Sequence, residues 1–232
     1  MNTSSAVWRK SLSVAGATAL YGVSFGALAI ASGLDLMQTM VLSLLMFSGG
    51  SQFALLGVIA AGGGAAAAVA TSAVLGVRNT LYGISLNTEL RPRRAVMPVM
   101  AHLTIDESTA VALSSADARM RRLGFWVTGV GVFVGWNATT LIGALVGDLL
   151  GDVRTYGLDA AAAAAFIGLL WPRLKNRQAV AVGVASAVLA TALVPVLPAG
   201  VPILLSVVVA LVVGTTNWLG TKSKKTPVKE AA

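Results

Sequence analysis

Ala101-His102-Leu103-Thr104-Ile105-Asp106-Glu107-Ser108 sets two adjacent carboxylates in the middle of an apolar run that extends from residue 95 to residue 116. The run is about as long as a bilayer is thick, ~20 residues of helix, and the two acids are its only formal charges. An ionised side chain at that depth costs about 2.5–3.5 kcal/mol on insertion scales, so it normally faces protein or a watery cavity and is used there. His102 and Asp106 are four residues apart and share a face if the run is helical, while Glu107 points about 100° away. The rest of the chain reads as the membrane scaffold holding this acidic segment, or as the wall of a path that leads to it.

Only 11% of the 232 residues are charged and 56% are hydrophobic, with a mean hydropathy of +0.81, so there are too few charges to clothe a soluble globule. The expected fold is an all-α polytopic integral membrane protein. Cysteine is absent and His102 is the single histidine, which argues against disulfides, a structural metal or a haem, and no cofactor is expected. The net charge of +8 resides in short basic clusters between apolar runs, a pattern of membrane topology rather than of nucleic-acid binding. Arg9-Lys10 followed by an apolar stretch and Ala29-Ile30-Ala31 imitates a signal peptide, but the run over 11–32 is too long for one and reads as a retained first helix.

Seven to eight hydrophobic segments are expected, near 11–32, 36–61, 64–88, 95–116, 122–148, 156–172, 179–194 and 202–219. Residues 1–10 and the basic tail 221–232 read as cytoplasmic, flanking a single transmembrane domain over 11–220. The second segment is interrupted by Phe47-Ser48-Gly49-Gly50-Ser51-Gln52-Phe53, where paired glycines permit the backbone to unwind. If it breaks there, its second half begins at Ser51, whose hydroxyl caps free N–H groups that attract an anion; otherwise the glycines are a packing contact in a continuous helix. Arg78 lies inside the third segment and either pairs with Asp106 or Glu107 or snorkels to the interface.

The basic trios Arg91, Arg93, Arg94 and Arg119, Arg121, Arg122 flank the acidic segment, and both read as cytoplasmic. A segment with the cytoplasm at both ends is not a simple span. Either 36–61 and 95–116 are re-entrant hairpins that meet from opposite sides, or one arginine cluster violates the rule; the hairpins are preferred. Gly22/Gly26, Gly131/Gly135 and Gly143/Gly147/Gly151 recur at four-residue intervals, which permits close helix approach. Leu20-Tyr21-Gly22-Val23-Ser24-Phe25 against Leu81-Tyr82-Gly83-Ile84-Ser85-Leu86 hints at an internal repeat.

The ordered set Tyr21–Gly26, Phe47–Phe53, Arg78–Leu86 and Leu103–Ser108 resembles the AzlC-type branched-chain amino acid permeases. That resemblance implies a secondary transporter exporting branched-chain amino acids, and often methionine, from the bacterial cytoplasm across the inner membrane. It also implies a separately encoded, small AzlD-like membrane subunit as partner. Where many relatives carry histidine after the arginine, this chain has Asn79, which cannot carry a proton; proton coupling would then rest on Asp106, Glu107 or His102. The substrate carboxylate is expected near Ser48, Gly49, Gly50, Ser51 and Gln52 or at Arg78, with Asn79 beside the path. The ammonium is expected at Asp106 or Glu107, and the apolar side chain among Phe47, Phe53 and Tyr82. His102 reads more simply as a packing residue. A channel or ion carrier using the same buried acids is the alternative. An enzyme is disfavoured because the chain lacks a His-Glu-x-x-His pair, a nucleophilic cysteine and a Gly-x-Ser-x-Gly elbow.

Overall fold

The structure, a computed structural model, describes residues 3–150, 167–168, 170–171, 174–198 and 200–216. It is all-α among these residues: α1 Thr3–Ala31, α2 Leu36–Leu45, α3 Gly50–Ala60, α4 Ala65–Leu90, α5 Met97–His102, α6 Asp106–Leu113, α7 Ala118–Leu150, α8 Arg177–Leu193 and α9 Val201–Thr216. Among the described residues α1 and α7 are long and apolar enough to cross a bilayer alone, against an expectation of seven to eight hydrophobic segments. The first helix starts at Thr3 rather than at residue 11, and Arg9 and Lys10 lie within it. Most of the segment expected at 156–172, and the tail at 221–232, fall outside the described residues.

The frame is the pair α1 and α7. Ala15 lies against Gly131, Ala19 against Gly135, Val23 against Gly143 and Ala27 against Gly147, so the two helices run parallel and touch along their length. Their glycines are spaced to bring backbones together. A Cβ at Gly22 or Gly26 would collide with the α7 backbone, and one at Gly143 with the backbone of Val23. Thr139 uses the close approach, its hydroxyl donating to the Ala19 carbonyl at 2.5 Å.

Helix α4 runs the other way. At its end Glu89 pairs with Arg121, and the Leu90 carbonyl accepts from the Arg122 guanidinium at 3.1 Å, which fixes the end of α4 beside the start of α7. From there the chain climbs through the turn Arg94–Val96 and α5 until Leu103 lies against Gly129. It then descends through α6, with Val111 against Gly124, to Ser114, whose hydroxyl accepts from Lys10 at 2.8 Å. The acidic segment is therefore a hairpin that enters and leaves at one end of the frame.

The earlier broken segment mirrors it from the opposite end. Helix α2 starts beside the end of α1, where Leu34 N–H donates to the Ala29 carbonyl, and runs down α7 past Asn137 to Phe133. After a break at 46–49, α3 returns antiparallel to α4, with Ser51 opposite Gly76 and a turn in which Gly63 N–H donates to the Val58 carbonyl. The tips meet in the middle of the molecule, where the Phe47 and His102 rings are 5.9 Å apart. Thus a long helix followed by a broken hairpin occurs twice, in opposite directions, with Tyr21-Gly22 and Tyr82-Gly83 in the two long helices. Helices α8 and α9 form an antiparallel pair, joined by Gln178 to Val213 and Ser186 to Ser206, and Gly200 between them sits against Val58 and Ala67.

Overfilling the α1–α7 seam should be costly, since forcing extra atoms into a tight contact costs about 1–3 kcal/mol or more. Gly26→Leu or Gly143→Leu is expected to lower the thermal midpoint of the detergent-solubilised protein by several degrees or to abolish its accumulation. Gly16→Leu, at a position with open space, is expected to match the parent.

Candidate functional site

Each hairpin tip contains a helix break, and each break is closed by one side chain. At the first, Gly49 adopts φ 54°, which favours glycine. Gln52, fully buried, accepts the Gly49 N–H at 3.1 Å and donates to the Leu42 carbonyl at 3.1 Å. At the second, the buried Ser108 hydroxyl accepts the Ile105 N–H at 3.1 Å and donates to the Leu103 carbonyl at 2.7 Å. In both cases the third residue of the returning helix reaches back to its own start and to a carbonyl of the half-segment before the break. The expected cap shifts accordingly: the returning helix begins at Gly50, not Ser51, and the Ser51 hydroxyl instead accepts from Ser48 at 3.0 Å.

Arg78, at the middle of α4, joins the tips. Its guanidinium donates to Asp106 Oδ2 at 3.1 Å and to the Ser48 carbonyl at 3.3 Å. The pairing reading holds and the snorkelling one does not. Asn79 adds a bond from its amide to Ser48 Oγ at 3.2 Å. A methyl group at Gly50 would sit 2.8 Å from the guanidinium, so the glycine is what lets Arg78 reach Ser48.

Around this junction lies a cavity of about 250 Å³. Thr18 and Tyr21 of α1, Phe47 to Gly50 and Phe53 of the first hairpin, and Leu75 and Arg78 of α4 form part of its wall. Ile105, Asp106 and Glu107 of the second hairpin, Val132 and Trp136 of α7, and Leu170 complete it. The wall is mostly apolar, with both charges of the ion pair on one side. Two buried N–H groups there, Arg78 Nε and Trp136 Nε1, have no acceptor among the described residues. A buried donor without a partner costs about 1–3 kcal/mol, so the cavity favours a guest that brings an acceptor. Asp106 and Glu107 also line a recess of about 470 Å³ with Lys10, Tyr82 and Thr109, on the side where the arginine clusters lie.

The structure thus gathers Ser48, Gly49, Gly50, Arg78, Asp106 and Glu107 around one cavity. Tyr82 lines the recess instead, while Ser51, Asn79 and His102 line a different central cavity. Gln52 lines none of these, because both ends of its amide serve the break. His102 is wedged between Phe47 and Phe133, with ring centroids 5.9 and 5.5 Å away. Trp136 and Ser108 escape a reading of the sequence alone. The one available signal for Trp136 was a tryptophan in mid-helix, away from the ends where such residues anchor to an interface. Among the described residues, no three acidic or histidine side chains are grouped to hold a metal.

The AzlC protein family model matches residues 13–150, the stretch that contains α1 to α7, both hairpins and the cavity's charged residues. An uncharacterised membrane protein of Archaeoglobus fulgidus is 31% identical over 157 residues, 67% of this chain and 68% of that protein. An uncharacterised membrane protein of Helicobacter pylori is 25% identical over 180 residues, covering 75% and 78%. The inner membrane protein YgaZ of Escherichia coli is 27% identical over 154 residues, covering 65% and 61%. No solved structure matches the chain.

Gln52→Leu keeps the side-chain bulk but strands the Gly49 N–H, at about 1–3 kcal/mol for an unsatisfied buried group, and leaves the Leu42 carbonyl with Met46 N–H alone. It should lower the thermal midpoint far more than Ser51→Ala, whose partner Ser48 keeps a second bond to Asn79. Equal midpoints for the two variants would contradict the role assigned to Gln52.

Proposed function

This chain belongs to the AzlC family of membrane proteins, and from that premise we propose that it is a secondary transporter exporting leucine, isoleucine, valine and methionine across the bacterial inner membrane. The observation that carries the proposal is the central cavity, where an Arg78–Asp106 pair and two uncommitted N–H donors face an apolar wall. A zwitterion with a greasy side chain complements all three features. Its carboxylate meets Arg78 Nε–H, the Trp136 indole and the start of α3, where the helix dipole is positive. Its ammonium meets Asp106 or Glu107, and its side chain lies against Tyr21, Phe47 and Phe53.

Lys10, Arg91, Arg93, Arg94, Arg119, Arg121 and Arg122 mark the end of the frame that we assign to the cytoplasm. In this orientation α1, α4 and α7 cross the bilayer, α2–α3 re-enters from outside and α5–α6 from inside, and both chain termini are cytoplasmic. Broken helices at that depth are tolerated where protein or a watery cavity covers their backbone, as at these two tips. The recess beside Lys10 and Tyr82 is then the inner approach, with Asp106 and Glu107 at its boundary with the cavity. Two opposed copies of helix-plus-hairpin suit alternating access, since inverted repeats rock about a site at their interface. We assign proton coupling to Asp106 and Glu107, and a small AzlD-like membrane subunit as the partner. Enzymatic activity forms no part of the proposal.

Cells preloaded with leucine-, isoleucine-, valine- or methionine-containing dipeptides should export the free amino acid faster when this chain and an AzlD-like subunit are expressed together. Asp106→Asn should cut that rate by about tenfold or more at unchanged membrane abundance. Trp136→Phe should raise the half-saturating substrate concentration severalfold. Absence of export with both proteins in the membrane, or unimpaired coupled export by Asp106→Asn, would overturn the proposal.

A further inference from the structure

The break in the first hairpin exposes two chemically opposite ends. The start of α3 contributes Gly49 and Gly50 to the cavity described above, whereas the end of α2 contributes Leu45 and Met46 to a second cavity of about 270 Å³ on the other side of Phe47 and Ser48. We infer that this second cavity binds a monovalent alkali cation.

Its chemistry is one of surplus acceptors. Because α2 stops at Leu45, the carbonyls of residues 45–47, which line this cavity, accept no hydrogen bond among the described residues. A helix end of this kind carries about −0.5 of an elementary charge. Asn79 Oδ1 is buried with no partner among the described residues, although the same amide donates to Ser48 Oγ. Ser51 Oγ accepts from Ser48, and among the described residues the Ser72 hydroxyl finds only the Met46 thioether, 3.5 Å away and a weak acceptor. Oxygen lone pairs therefore outnumber donors in a place where leaving them bare is costly.

The wall also decides which cation. Among the described residues it contains no Asp, Glu, Lys or Arg. Calcium and magnesium draw on carboxylates, whereas alkali ions are held by neutral carbonyl, amide and hydroxyl oxygens. The Arg78 guanidinium lies against the Ser48 carbonyl, and Asp106 matches its charge from the other side. His102 lines the cavity and adds a ring nitrogen, but its ring is stacked within the Phe47–Phe133 cluster. A cation here would lie beside the Ser48 segment that also borders the first cavity, so the two sites share a wall and can respond to each other. That coupling rests on the transporter reading; the cation site itself does not.

Binding can be read without transport. The purified full-length protein should show a saturable rise in thermal midpoint with sodium or potassium chloride that choline chloride at equal ionic strength does not give. Asn79→Ala should abolish the rise, and Asn79→Asp, which adds a charge without changing size, should lower the half-saturating concentration about tenfold. Identical midpoints in alkali and choline salts, or an undiminished rise in Asn79→Ala with Asn79→Asp unchanged, would overturn the inference. An alkali-specific rise in a protein that exports no branched-chain amino acid would leave this site standing and remove the substrate assignment. Export that ignores alkali ions, with no midpoint shift, would do the reverse.

Discussion

The Arg78–Asp106 ion pair is the contact on which the centre of this molecule depends. Arg78 comes from a long helix, Asp106 opens the returning half of one hairpin, and the Ser48 carbonyl on the same guanidinium belongs to the tip of the other. One cation thus holds together two segments that approach from opposite ends. Both side chains are only partly buried, so removing one partner leaves the other with incomplete compensation. Both tips are consequently fixed at the same depth, and the cavity forms between them.

A broken helix frees polar backbone groups, and here the two breaks are closed by the same device. Gln52 and Ser108 occupy equivalent places, three residues past the break, and each satisfies one N–H and one carbonyl. The groups they leave unsatisfied are informative. At the start of α3 the free groups are donors beside the cavity with the ion pair; at the end of α2 they are acceptors beside the neighbouring cavity. Separation of the two signs by a single turn of chain gives a small protein two chemically distinct compartments. The α1–α7 seam is the rigid background, its glycines setting a backbone contact that larger residues would not allow.

Much of this was legible because membrane sequences carry strong constraints. Apolar run length located the long helices, and a run bounded by two arginine clusters favoured a segment that turns back over an arginine cluster that violates the charge rule. Paired glycines between serines marked the other break. What was not legible concerns how individual side chains are used. Gln52 reads as part of the site for the substrate carboxylate, yet its position in the returning helix commits it to the break. Ser51 reads as the cap, yet Gly49, with its positive φ, lets the helix start one residue sooner. Asn79 and Arg78 are adjacent in sequence but face different cavities, because neighbours on a helix point about 100° apart. Trp136 becomes visible as a candidate contact only when α7 is packed against both tips.

The measurement that tests this most directly is a double-mutant cycle on Arg78 and Asp106, using Arg78→Gln, Asp106→Asn and the double variant, read as thermal unfolding in detergent. If the pair holds the two tips together, each single change destabilises the protein and the double change costs less than their sum, by about 1 kcal/mol or more. Strictly additive effects would mean that the two charges do not meet, and the junction at the centre of the fold would have to be abandoned.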